Sequence, residues 1–94
     1  MFPATFRSID GDDVVALQVT DENLNEIAAW TNGEVVRFSK PLLSTQISWA
    51  GVRFNTDNGV VNARTGEWVV QNERLTSQFK KYPDHIFKQH YYYI

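Results

Sequence analysis

Among the 94 residues of this chain, the side chains whose types could do chemistry are two histidines, eleven carboxylates and five serines. His85 and His90 stand five apart. On a helix that is about 140° of rotation, so the two rings cannot close on one metal. Zinc would also need more nitrogen or sulfur donors than the neighbouring sequence offers, and there is no cysteine. Asp10-Gly11-Asp12-Asp13 begins like a calcium loop, but Val14, Ala16 and Gln18 fall where further oxygen ligands are needed. Ser8, Ser39, Ser44, Ser48 and Ser77 lack the local pattern that presents a nucleophile to a base. The five glycines are scattered and build no phosphate loop. The expectation is a protein that is not an enzyme and holds no metal or cofactor.

What the chain does offer is aromatic and cationic side chains. Phe79-Lys80-Lys81-Tyr82, with Lys88, His90 and Tyr91 to Tyr93, mixes bases and rings in the way that binds single-stranded nucleic acid. Against this, Phe87 and Tyr91 are four apart on one helical face, which suits packing in a core, and the net charge is −2. Three consecutive tyrosines cannot all point inward, so at least one is expected at the surface. Tyrosine combines a large rigid ring with a polar tip, as interfaces favour. Trp49, Lys81, Tyr92 and Tyr93 are therefore the expected protein-binding residues, and an unprotected edge strand or the tail could pair two copies. Arg53, Arg64 and Arg74 form an alternative, a cleft that sequesters a small anion such as a nucleotide signal.

These side chains must be positioned by short elements. Val14 to Val19 reads as a strand. Thr20 suits a helix N-cap and Asp21 and Glu22 its first turn, while Leu24, Ile27, Ala28 and Thr31 make one apolar stripe ending at Gly33. This predicts a helix over about 21–32. Glu34 to Phe38 reads as a strand halted by Lys40-Pro41. From Gln46 to Phe54 the apolar parity shifts between Ile47, Trp49 and Val52, Phe54, which predicts a bulge at Ala50-Gly51. Asn58-Gly59 predicts a type I′ hairpin, and Arg64-Thr65-Gly66-Glu67 a second reversal feeding the strand Trp68 to Gln71. After a turn near Asn72-Glu73 comes a last strand over Leu75 to Tyr82. Pro83 then opens a short helix over about 83–90. Residues 1–11 read as a loose arm with Phe2 and Phe6 available for packing.

Those pieces define an α+β domain spanning 1–94, with a mostly antiparallel bent sheet or partly open barrel of five to six strands. Apolar residues at 43% and aromatics at 14% argue for a folded core. The lack of cysteine, of an apolar leader and of any membrane-length apolar run leads to the expectation of a soluble cytoplasmic protein. Charge is uneven: residues 1–35 hold seven carboxylates against Arg7, while 74–94 hold Arg74, Lys80, Lys81 and Lys88 against Asp84. Such asymmetry hints at an interaction surface.

Taken in order, three segments resemble a family of short proteins encoded by bacteriophages and prophages, particularly of actinobacteria. The first is Glu22-Asn23-Leu24-Asn25-Glu26-Ile27-Ala28-Ala29-Trp30, followed by Gly33. The second runs Gly59-Val60-Val61-Asn62-Ala63-Arg64-Thr65-Gly66-Glu67-Trp68-Val69-Val70, where the family has Pro-Gly-Asp at the positions of Thr65, Gly66 and Glu67. The third is Pro83-Asp84-His85-Ile86-Phe87, closing on Tyr91. The resemblance covers roughly 13–91. It implies a phage origin and a compact fold, and it supplies no catalytic residue. Combined with the lack of catalytic groups, it leads to the expectation of a phage accessory protein that binds a host protein, for host takeover, growth inhibition or anti-defence. Nucleic acid is the alternative partner.

Overall fold

The computed structural model describes residues 3–42, 45–72 and 78–94. Its elements are β1 (Ala4–Ser8), β2 (Asp13–Gln18), α1 (Leu24–Thr31), β3 (Glu34–Leu42), β4 (Thr45–Thr56), β5 (Gly59–Arg64), β6 (Trp68–Asn72), β7 (Phe79–Tyr82), α2 (Asp84–His90) and β8 (Tyr91–Tyr93). The fold is α+β, as expected, and among the described residues it has eight strands in two antiparallel sheets where one bent sheet of five to six was expected. The larger sheet has the order β7-β6-β2-β1-β8 and the smaller the order β3-β4-β5.

The two strands beyond expectation sit at the termini. Residues 4–8 are not a loose arm: β1 pairs with β2 on one side and β8 on the other, and Phe6 is buried between them. The tyrosine tail supplies β8, so the chain's two ends close the sheet together.

Alternation along the larger sheet sends side chains to two cores. Leu17 and Val69 face one way and join Val19, Leu24, Ile27, Val52, Phe54, Ala63 and Phe79. Val14, Ala16 and Val70 face the other way and join Phe6 and Phe87. The first core lies under α1 and the smaller sheet; the second lies under α2. Within it the Phe87 ring stacks on Trp68 at 4.1 Å and on Tyr91 at 5.0 Å, so the bland expectation for Phe87 and Tyr91 holds. Asp84 fixes α2 in place by accepting from Trp68 Nε1 at 2.8 Å and Gln18 Nε2 at 3.3 Å.

Several local expectations change. Helix α1 starts at Leu24 and not after Thr20, because Asn23 Oδ1 accepts from the Thr20 backbone N–H and Asn23 Nδ2 donates to the Gln18 carbonyl. That buried asparagine builds a separate turn ahead of the helix. At the other end Asn32 takes the left-handed conformation with φ 57, and Gly33 N–H reaches back to the Ala28 carbonyl at 2.8 Å. Gly33 is needed for space, since a Cβ there would run into the Arg53 carbonyl oxygen.

Strand β3 does not stop at Lys40-Pro41 but runs on to Leu42, as an edge strand tolerates proline. The β3–β4 register is unbroken from Glu34↔Arg53 to Leu42↔Thr45, and β4–β5 from Gly51↔Arg64 to Thr56↔Gly59. There is no bulge at Ala50-Gly51. The parity shift has another cause: Trp49 belongs to the outer face, while Val52 and Phe54 belong to the core. Gly51 is required because a Cβ would meet the Ala63 carbonyl oxygen across the strand pair.

The β4–β5 turn is centred on Asp57-Asn58, with Gly59 following at φ 111. Asn58 has no positive φ, so the turn is not type I′; Thr56 Oγ1 holds it by accepting from Asn58 N–H and donating to the Gly59 carbonyl. The second reversal is as expected in place, with Gly66 at φ 94 and Glu67 N–H on the Arg64 carbonyl, but it carries the chain from one sheet to the other. The side chains of Phe2, Ile47, Glu73 and Leu75 lie outside the described residues.

The Cα radius of gyration is 14.1 Å and the long axis 48 Å. A chain of this length packed as a sphere would give about 12–13 Å. In the β3–β4 hairpin, Phe38, Ser39, Pro41 and Ser48 are exposed.

Candidate functional site

One face of the smaller sheet packs on the first core through Val35, Ala50, Val52, Phe54, Val61 and Ala63. The opposite face carries Glu34, Val36 and Phe38 from β3, Trp49, Gly51 and Arg53 from β4, and Val60, Asn62 and Arg64 from β5. No element among the described residues pairs or packs there. Phe38 and Trp49 are direct partners across the strand pair, and their rings stack at 4.4 Å and 25°. Phe38 is nevertheless 44% exposed. Because Gly51 has no side chain, Arg64 reaches diagonally over it and lays its guanidinium 4.4 Å from the Trp49 ring centroid. That cation–π contact contributes about 0.5–1 kcal/mol at an exposed site. The result is a rigid aromatic–guanidinium patch on an open sheet.

Of the expected protein-binding residues, Trp49 lies on this open face, in contact with Phe38 and Arg64. Phe38 lies within the strand expected from sequence, but its place opposite Trp49 depends on a β3–β4 pairing that the sequence does not signal.

The other expected residues are placed differently. Lys81 Nζ donates to the Asn62 backbone carbonyl at 3.0 Å and pairs with Glu67 at 3.3 Å. Glu67 in turn accepts from the Arg64 N–H at 2.8 Å. Lys81 and Glu67 together thus occupy the Asn62 carbonyl and the Arg64 N–H on the outward edge of β5, a partial protection of that edge.

Tyr92 and Tyr93 lie on β8, in the other sheet, and point to opposite faces of it. Tyr93 is 71% exposed and packs edge-on against Phe6, while Tyr92 stands beside Arg7. Arg7 is itself bound to Asp13 at 2.8 Å, which raises the guanidinium and holds the carboxyl below its ordinary value, chiefly through that hydrogen bond. Tyr91 is half-buried, and burial, then its hydrogen bond to Tyr82, pushes its phenol well above the ordinary value.

Of the arginines expected to line an anion cleft, Arg53 and Arg64 share the open face and each is already engaged. Arg53 binds Glu34 Oε1 at 3.3 Å and Asn62 Oδ1 at 3.1 Å, and the 350 Å³ recess beside it is lined also by Gly33, Phe54 and Val60 but not by Arg64. Arg64 is committed to Trp49, and Arg74 lies outside the described residues. The basic aromatic tail likewise divides. Phe79 and Phe87 are buried and Lys88 pairs with Asp84, while Lys80, His90, Tyr92 and Tyr93 are exposed.

Among the described residues no group of three or more His, Asp or Glu side chains could hold a metal ion, and no helix is long and apolar enough to cross a membrane. In comparisons with protein-family models, curated proteins and solved structures, nothing matches this chain.

Proposed function

We propose that this chain acts without catalysis, by binding another protein through the open face of its smaller sheet. The observation that carries this reading is the Phe38–Trp49 stack with Arg64 laid over it, held on an uncovered sheet face. Tryptophan, arginine and phenylalanine are enriched at interface centres, where desolvating a preset aromatic surface yields most of the affinity. The patch costs little entropy to engage, because its rings are already fixed against one another. The resemblance to short bacteriophage proteins makes a bacterial host protein the class of target, with growth inhibition or anti-defence as the outcome of binding, and the host cytoplasm as the place. Nucleic acid fits this face less well. Its two arginines are engaged, Glu34 sits among them, and the chain is net acidic.

The test is affinity capture from an actinobacterial lysate, comparing the native chain with Trp49→Ala and Phe38→Ala variants that keep a cooperative thermal transition. The expected result is a host protein retained by the native chain and lost by both variants. Identical captures by all three would place the interface elsewhere. Capture of nucleic acid alone, with affinity falling steeply as salt rises, would replace a protein target by a polynucleotide.

A further inference from the structure

We propose that the outer edge of β3, at Val35 and Arg37, accepts an extended segment of the partner protein as a fourth strand, with side chains alternating between apolar residues and carboxylates. This rests on the protein-binding reading above and names the chemistry of its partner.

The backbone parity of the smaller sheet fixes which groups are open. The Asn62 carbonyl is turned away from β4, since it receives Lys81 Nζ. Val61 and Ala63 must then bond to Phe54 and Val52, and the Ala50 carbonyl points the same way, receiving Thr65 N–H at 3.3 Å. The odd residues of β4 consequently turn their backbone groups toward β3, where they meet Val36 and Phe38. That leaves the N–H and C=O of Val35 and Arg37 aimed outward from the edge of the sheet. Pro41 falls at the same parity, where its missing N–H breaks nothing, which is an independent check.

Side chains flanking this edge define what can dock. Arg37 is exposed, its side chain makes no ion pair or hydrogen bond to any described residue, and it lines a 630 Å³ recess with Ser39, Ser48 and Thr65. Asp21 lies across that recess and is not bonded to Arg37. On the opposite face the edge presents Val36 and the exposed ring of Phe38. An incoming strand alternates its side chains between these two faces. Apolar groups would meet Phe38 and Val36, and a carboxylate would meet the unpaired guanidinium, bidentate if it lies in plane. A second copy of this edge fits less well, because centring β3 on itself sets Arg37 opposite Arg37.

The experiment pans a displayed library of random peptides of roughly twelve residues against the full chain, the length needed to cross one strand edge. Peptides with alternating apolar and acidic residues should be recovered, and their binding should slow hydrogen exchange at the Val35 and Arg37 amides. In Arg37→Pro, which removes an outward N–H and the guanidinium together, affinity should fall at least about tenfold. Val60→Pro on the opposite edge should leave it unchanged. Should Arg37→Pro fold poorly, Arg37→Glu keeps the backbone intact and should turn the preference from acidic to basic peptides. Recovery of no peptide, peptides without alternation, or binding indifferent to both Arg37 variants would overturn the proposal. So would dimerisation of the native chain abolished by Arg37→Pro, which would make a second copy the occupant. Lysate capture that needs Trp49 but survives both Arg37 variants would retire the strand pairing alone and leave the binding function standing.

Discussion

Two aromatic stacks in this protein have similar geometry and opposite expected consequences, and removing one ring from each separates architecture from function. Phe87 is 2% exposed and touches Trp68, Tyr91 and Phe6 at ring distances of 4.1, 5.0 and 5.1 Å. Phe87→Ala empties the centre of the second core and frees α2 from the sheet, so the loss should be about 3–5 kcal/mol. For a domain of this length the unfolding entropy is about 0.2 kcal/mol/K, so that loss lowers Tm by roughly 15–25 °C. Phe38, by contrast, has one stacking partner and an exposed far side. Phe38→Ala should cost about 1 kcal/mol, or roughly 5 °C. Differential scanning calorimetry on both variants, with circular dichroism to confirm the native spectrum, reads the contrast directly. If Phe38→Ala lowers Tm as far as Phe87→Ala, the outer stack is a structural element. Its exposure would then carry no argument for binding.

Two further predictions concern charge. Hydrogen bonding from Trp68 first, and then from Lys88, holds the Asp84 carboxyl below its ordinary value. Its contribution to stability is therefore complete above the unfolded-state value near 3.8 and lost as the pH falls through the lower folded value; melts from about pH 6 down to about pH 2.5 should show a steeper acid decline in the native chain than in Asp84→Asn, and parallel curves would refute the assignment. Lys81→Met should strip the cover from the Asn62 carbonyl, lowering Tm by no more than about 5 °C while producing concentration-dependent association in sedimentation experiments. A variant that stays monomeric at every concentration would show that the lysine does not protect this edge.

The sequence carried the local elements well, because they depend on neighbours. The stripe Leu24, Ile27, Thr31 and the Gly66 reversal appear where periodicity and turn chemistry put them. What stayed hidden depended on pairing at long separation. Phe6 gave no sign that its strand would meet Val14 on one side and Tyr93 on the other. Asn23, a polar residue in a helix-like motif, became a buried bracket between Thr20 and Gln18, which no propensity anticipates. For the candidate site, Trp49 stood out by type, whereas Phe38 and Arg37, though on an expected strand, gained a role only from the β3–β4 register. Lys81 was singled out by type, and its internal role depends on a long-range contact that type does not show: its ammonium donates to a backbone carbonyl 19 positions away.

An open antiparallel sheet always has two edges, and two sheets give this molecule four of them to protect. β5 is covered at Asn62 and Arg64 by Lys81 and Glu67, and β7 carries two adjacent lysines, Lys80 and Lys81. β8 is only three residues long, too short to template much pairing. β3 is nine residues long, and proline stops its outer edge only at position 41. Ahead of that proline, Val35 and Arg37 keep outward donors and acceptors beside an unpaired cation and an exposed ring. Three edges thus carry a recognised means of preventing association, whereas the longest outer edge is left open over the segment that adjoins the aromatic patch. A binding function explains that uneven protection, since an edge meant to receive a partner cannot also be sealed against one.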